Sequence, residues 1–280
     1  MAPVLIHGES GTGKELVAQA LHACSQRADG PLVAVNCGAI PENLLEAEFF
    51  GARKGSYTGA SQDRDGYFQA ARGGTLFLDA VCDIPLTMQV NLLRPLESGT
   101  YRRVGSNELR RTDVRVVSAT HRDLKAMVTD GRFREDLYYR LSTFPIALPA
   151  LRERGDDIAL LAAALLERVA PQRRLSLSAD TLALLQRYPF PGNVRELEHM
   201  ISRAALKALS RGAQSSDIVT LPVELLDLES GGAGSVQRAV VPLLPAPILP
   251  QRNAALLLLV SDEQSLTLVL CSVLRMGRYE

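Results

Sequence analysis

Val4-Leu5-Ile6-His7-Gly8-Glu9-Ser10-Gly11-Thr12-Gly13-Lys14-Glu15 is an apolar run that breaks into a glycine-rich turn and resumes as a helical pattern through Leu16, Val17, Ala20 and Leu21. The reading is a strand, a phosphate loop and a helix start. Glycines let backbone N–H groups close around phosphate oxygens, and a helix N-terminus adds partial positive charge. Gly8, Gly13 and Lys14 fit G-x-x-x-x-G-K, with Lys14 reaching for the outer phosphates; Glu15 stands where the general motif has Ser or Thr for the metal. Such spacing also describes a plain strand-to-helix turn, so the flanking pattern has to decide.

Outward from this stretch, Leu32-Val33-Ala34-Val35-Asn36 is a short β-rich run, and Pro41 opens an amphipathic helix at Glu42-Asn43-Leu44-Leu45-Glu46. Glycines at 51, 55, 59 and 66, mixed with charges and no apolar period, predict a loop projecting from that helix. Thr75-Leu76-Phe77-Leu78-Asp79 reads as a buried strand ending in an acid, and 113–120 as another strand. Strands alternating with helical segments imply a mostly parallel sheet covered on both faces. Asp79 then stands where a phosphate site needs a metal-holding acid, although an acid closing a strand is also a common turn residue.

After Pro149 the pattern is helical only: Asp156 to Val169, Ala179 to Tyr188 with Ser178 as N-cap, and Val194 to Leu209 with Asn193 as N-cap. From Ser210 to Arg252, Ser/Gly clusters followed by Pro242, Pro245, Pro247 and Pro250 predict an extended linker. The expected organisation is a core over 1–149, a helical lid over 150–209, the linker over 210–252 and a tail over 253–280. The first strand begins so close to Met1 that the coding sequence is expected to lack upstream material.

Composition narrows the class. At 280 residues and 46% hydrophobic content the chain can bury a large core, and 31 basic residues against 31 acidic ones give no nucleic-acid or membrane-surface footprint. Cys24, Cys37, Cys82 and Cys271 form no C-x-x-C pair, which argues against zinc and against a disulfide framework, and for a reducing cytoplasm. The apolar run Ala254 to Val260 is too short to span a bilayer.

Five ordered motifs resemble the central AAA+ domain of bacterial sigma-54-dependent transcriptional activators. They are the loop Gly8 to Glu15, then Gly55-Ser56-Tyr57-Thr58-Gly59-Ala60, then Gly73 to Asp79, then Phe133 to Leu141, and finally Pro191-Gly192-Asn193-Val194-Arg195-Glu196-Leu197. The resemblance covers residues 3 to about 209 and accounts for Glu15, which follows the loop lysine in that family. It implies an α/β fold: a P-loop NTPase core of three αβα layers around a parallel sheet, followed by a small helical lid. It also implies ATP and Mg2+ as cofactors, a homo-oligomeric ring, usually a hexamer, and the sigma-54 RNA polymerase holoenzyme as partner. DNA would be reached only through a module absent from this chain, and no membrane is implied.

By the same resemblance, Gly8, Glu9, Ser10, Gly11, Thr12, Gly13, Lys14 and Glu15 hold the nucleotide and Asp79 the metal. Gly55 to Ala60 is the sigma-54 contact, with Ser56 and Tyr57 departing from the family's G-A-F-T-G-A. Arg134 and Arg140 resemble arginines offered to a neighbour's nucleotide; six positions apart on a helix they would point about 120° apart, toward two targets. Arg195 resembles the lid arginine that senses the terminal phosphate, a surface charge paired with Glu196 or Glu198 being the plainer alternative.

Three departures change the expected chemistry. Ala80 occupies the position of the glutamate that activates the attacking water, while Asn36, which resembles the residue restraining that glutamate, is retained. Hydrolysis should therefore be impaired unless Asp83 substitutes. Ala119-Thr120-His121-Arg122-Asp123-Leu124 places His121 where the family's sensor has asparagine, so Thr120 and His121 form an altered sensor. Lastly, no helix-turn-helix pattern follows Leu209; Arg252 to Glu280 resembles the first strand and helix of a receiver domain, a short hydrophobic tail being the alternative. The expected activity is that of an ATP-driven activator, the alternatives being a hydrolysis-deficient regulatory subunit or a degenerate product.

Overall fold

The computed structural model describes residues 2–56, 61–171, 175–210 and the backbone of 219–221. The chain divides into two compact units, Met1–Ala150 and Leu151–Glu280. In the first, β1 (Val4–His7), β2 (Leu32–Asn36), β3 (Thr75–Asp79), β6 (Arg115–Thr120) and β7 (Phe144–Ala147) form a parallel sheet of order β2-β3-β6-β1-β7. Its helices are α1 (Lys14–Ala23), α2 (Glu42–Phe50), α3 (Tyr67–Ala70), α4 (Leu86–Ser98), α5 (Leu124–Thr129) and α6 (Glu135–Leu141). A separate two-stranded antiparallel ribbon pairs β4 (Thr100–Tyr101) with β5 (Arg110–Arg111).

Alternation along the strands sorts the core into two layers. Leu5, Leu76, Leu78 and Val116 pack with residues of α2, α4, α5 and α6, whereas Val4, Ile6, Phe77, Val117 and Ala119 pack with Ala18 and Leu21 of α1. The sheet is thus covered on both faces, as its continuous apolar strands require. Pro145 fits because β7 is an edge strand, where one missing N–H is harmless.

The stretch from Gly51 to Gly66 is anchored at its base. Ala52 and Arg64 exchange two backbone hydrogen bonds of 2.9 Å, and Arg53 N–H donates to Val104 O at 3.0 Å. A Cβ on Gly66 would stand 2.3 Å from Gly51 N, so the two strands of the stem can approach only as glycines. Beneath them Phe49, Phe50, Phe68 and Tyr101 form an aromatic cluster whose Phe50 and Phe68 rings stack at 5.6 Å. Burial of each ring is worth roughly 1.5–3 kcal/mol, which gives the stem a firm base.

The second unit contains α7 (Asp157–Val169), β8 (Leu175–Leu177), α8 (Ala179–Arg187), α9 (Asn193–Ser210) and β9 (Val219–Leu221). Ser178 caps α8 as expected, accepting from Thr181 N–H at 3.1 Å. Two expectations are corrected. The unit is not helical only: β8 and β9 pair in parallel, and β9 lies in the stretch whose composition suggests a linker, because a pairing partner more than forty residues upstream is invisible to local composition. Asn193, expected as an N-cap, is the first residue of α9; it is fully buried with φ +55°, and its Oδ1 accepts from Leu151 N–H at 2.8 Å, fastening α9 to the start of the unit. The linker prolines and the receiver-like stretch 253–280 lie outside the described residues.

Candidate functional site

β1 leads through α1 to the far edge strand β2, and after β6 the chain crosses β1 to reach β7, so the strand order reverses beside β1. Ligands of parallel sheets bind beyond the carboxyl ends at such a reversal. The loop after β1 stands there. Gly11 and Gly13 have φ of +79° and +99°, turning the chain so that α1 starts at Lys14 with its N-terminal amides toward the loop. Lys14 Nζ donates to Gly8 O at 2.9 Å and Glu9 O at 2.8 Å, and buried Thr12 Oγ1 donates to Glu9 O at 2.8 Å. A Cβ on Gly8 would meet Leu148 O at 3.0 Å, so the loop is seated tightly on the segment after β7. Ser10 and Glu15 are exposed, with Glu15 in the first turn of α1, where a carboxylate is favoured by the helix dipole.

Neighbouring strand ends complete the rim. Gly8 N–H donates to Thr120 O at 3.2 Å, tying the loop to the end of β6. Thr120 is buried, and its hydroxyl donates to Arg122 O at 2.9 Å and accepts from Arg122 N–H at 3.1 Å; Asp123 then caps α5. Asn36 and Asp79 face each other in register at the ends of β2 and β3. Asn36 Oδ1 accepts from Gly38 N–H at 3.0 Å, and Asp79 Oδ1 accepts from Ala80 N–H at 2.9 Å. Ala80 is half-buried in the left-handed region at φ 55°, ψ 44° and opens a 3-10 turn, Val81–Asp83. Asp83 is a turn residue, as its place beyond the strand implies, and lies 3.5 Å from Arg122 Nη2. Burial, reinforced by Asp79, Cys82 and Asp83, pushes the Cys37 thiol up to about 12, so it stays protonated beside this acidic rim.

The two α6 arginines are arranged differently from the helical expectation. Arg134 precedes α6 with extended ψ 134°, so its direction is not set by the helical turn that carries Arg140. It is exposed and grips Asp136 through Nε–Oδ1 at 3.1 Å and Nη2–Oδ2 at 2.6 Å, which holds the Asp136 carboxyl below the usual carboxylate range. Arg140 donates from Nε and Nη2 to Leu96 O at 2.8 and 2.5 Å, satisfying an orphan carbonyl in the last turn of α4. In the second unit Arg195 is exposed near the start of α9; Glu196 accepts from Gly192 N–H at 2.8 Å and Tyr188 OH at 2.9 Å, and Glu198 pairs with Arg168. Gly55 and Ser56 follow the clamped stem, with Ser56 N–H donating to Arg53 O at 3.1 Å; Tyr57, Thr58, Gly59 and Ala60 lie outside the described residues.

Gln89 is a residue that motif reading passes over. Fully buried on α4, it donates to Ile84 O at 2.8 Å and accepts from Arg134 N–H at 2.8 Å, so it sets where the Arg134 segment begins. Its signal in the sequence is a lone amide on the apolar stripe with Leu92 and Leu96. Gln89→Leu leaves that carbonyl and that N–H unpaired, and a loss of about 1–3 kcal/mol is expected in urea unfolding; an unchanged midpoint would show that water replaces both bonds.

Comparison with known proteins agrees with this geometry. Residues 1–147 match the Sigma-54 interaction domain and residues 152–233 the AAA+ ATPase lid domain. The chain is 53% identical over 253 residues to the nitric oxide reductase transcription regulator NorR1 of Cupriavidus necator, covering 89% of this chain and 49% of that protein. It is 54% identical over 206 residues to the response regulator protein PilR of Pseudomonas aeruginosa, covering 72% and 46%. The chain thus spans about half the length of these relatives. The crystal structure of NtrX from Brucella abortus in complex with ADP superimposes with a TM-score of 0.72 at 37% identity, over 80% of this chain and 49% of that one. Because the domain match covers residues 1–147, more than half of the sequence, the chain belongs to the sigma-54 interaction domain family of AAA+ transcriptional activators.

Proposed function

We propose that this chain is the ATP-binding core of a sigma-54-dependent activator in which binding and assembly outlast hydrolysis. The observation that carries the reading is the grouping of the Gly8–Lys14 loop, Thr120 and Asp79 at the carboxyl ends of β1, β6 and β3, with Ala80 directly after the acid. The positive-φ glycines and the inward Lys14 fit a triphosphate, and Asp79 supplies the hard oxygen donor suited to Mg2+. Bound there, Mg2+ would neutralise charge on the outer phosphates. Lys14 would exchange its two carbonyl partners for phosphate oxygens, while Thr12 keeps the loop closed. Ala80 offers a methyl group where a carboxylate should orient water, so this chain's own residues bind better than they cleave.

In a homo-oligomeric ring, with a hexamer as the family's usual size, Arg134 is the more available arginine for a neighbour's nucleotide. An exposed ion pair such as its bond to Asp136 is screened by solvent and is readily given up. Arg140 is committed to the end of α4, and Arg195 takes the lid role. Thr120 and His121 report on the nucleotide from the end of β6. Gly55 to Ala60 is the contact with the sigma-54 holoenzyme, presented by the clamped stem. A hydrolysis-deficient subunit that assembles with competent copies is the second reading, favoured by Ala80 itself.

The test is co-sedimentation of the chain with purified sigma-54. ATP and Mg2+ should support the complex, because slow hydrolysis leaves the loaded state standing. Thr58→Ala should abolish co-sedimentation and leave the melting temperature and ATP affinity unchanged. A melting loss like that of a core substitution, or no complex with any nucleotide, would overturn the contact role.

A further inference from the structure

We propose that Cys82, Asp83 and His121 form a site for a borderline-soft divalent cation, with Zn2+ as the fitting ion, beside Ala80 at the end of the sheet. Cys82 and Asp83 belong to the turn that leaves β3, and His121 is the first residue after β6. Cys82 Sγ lies 3.7 Å from His121 Nδ1 and 3.8 Å from Asp83 Oδ1. One donor atom from each of the three falls within 4.8 Å of the others. Tetrahedral zinc, with Zn–S of about 2.3 Å and Zn–N or Zn–O of about 2.0–2.1 Å, brings the sulfur to about 3.6 Å from each of the other two donors. Both sulfur-centred distances already lie near that value, so a small rotation of the exposed imidazole and carboxylate closes the site.

The donor set selects the ion. Thiolate, imidazole and carboxylate together suit Zn2+, whereas Mg2+ takes oxygen ligands, which separates this site from the metal role of Asp79. Cys82 is 4% exposed and fixed at the floor, while Asp83 and His121 stand at the opening, so a cation can enter from solvent. Three protein ligands leave the fourth tetrahedral position to water. Arg122 approaches Asp83 only to 3.5 Å in a partly exposed pair, a contact that costs little to release. The backbone around the site is held independently: Asp83 N–H donates to Ala80 O at 2.9 Å, and Thr120 closes the turn at Arg122. A bound cation would cross-link the segments after β3 and β6, which frame Ala80.

The test uses the full chain without a polyhistidine tag, stripped with a chelator and free of nucleotide, so its failure leaves the ATP reading untouched. Titration with Co2+ should produce a thiolate-to-cobalt charge-transfer band in the near ultraviolet and intense tetrahedral visible bands, both bleached by one equivalent of Zn2+. Cys82→Ser should remove the ultraviolet band. His121→Asn, a change at an exposed side chain that leaves the core intact, should weaken Zn2+ at least about tenfold, since even outer partners of metal ligands matter to that degree. Asp83→Asn should weaken it likewise, and provides a second variant should Cys82→Ser fail to fold. A charge-transfer band that survives Cys82→Ser, or a Zn2+ affinity indifferent to His121→Asn, would overturn the site in favour of a simple thiol–imidazole contact.

Discussion

Lys14→Ala should lose measurable ATP binding, a fall of at least about a hundredfold, or about 2.7 kcal/mol, in affinity. The loss is expected to be confined to the ligand. Alanine is the better helix former at the start of α1, and the Gly8 and Glu9 carbonyls that Lys14 now holds lie in an open loop where water can replace it. Thermal shift reads the outcome cheaply: ATP at a hundred times the wild-type dissociation constant should add about 2.7 kcal/mol to the wild type and at most about 0.4 kcal/mol to the variant. Equal shifts in both proteins would remove the phosphate-loop assignment. A fall in melting temperature without ligand would instead show that Lys14 ties the loop together.

Ala80→Glu should raise ATP turnover at least about tenfold, or roughly 1.4 kcal/mol in the barrier, at saturating ATP and Mg2+. The backbone makes this a fair experiment. At φ 55° an alanine already bears the Cβ penalty of the left-handed region, so a longer side chain adds no further backbone strain. The residue is half-buried and held by its N–H to Asp79 Oδ1 and by its carbonyl from Asp83 N–H, so a carboxylate there points from a fixed base. Repulsion from Asp79 and Asp83 opposes the gain and should appear as a modest loss of stability. Asp83→Asn is the companion variant. Brisk wild-type turnover that is unchanged by Ala80→Glu and lost with Asp83→Asn would mean that Asp83 has taken over the catalytic role.

The glycine-rich loop between β1 and α1 was legible in the sequence because each of its requirements is local. The apolar run, the positive-φ glycines and the lysine at the helix start fall within twelve residues, and the structure puts β1 at Val4–His7 and α1 from Lys14. β2 over Leu32–Asn36 and β3 ending at Asp79 were legible for the same reason. The arginine geometry was not. A helical wheel assigns Arg134 and Arg140 to two directions, yet Arg134 stands before the helix and Arg140 is spent on a carbonyl of α4, 44 residues away in sequence. Gln89, Asn193 and the β8–β9 pair escaped notice likewise, since each is defined by a partner far along the chain.

The sequence by itself therefore determined β1, β2, β3 and β6, the start of α1 and the residues at those strand ends, because backbone preference and apolar period act over a few residues. Only the tertiary structure decided how those ends are used: that Ala80 is left-handed, that Asn36 and Asp79 share a register, and that Cys82 meets His121 across 39 residues. The reason is physical. Which donor reaches which acceptor depends on strand register and side-chain reach after packing, and neither is encoded in local spacing.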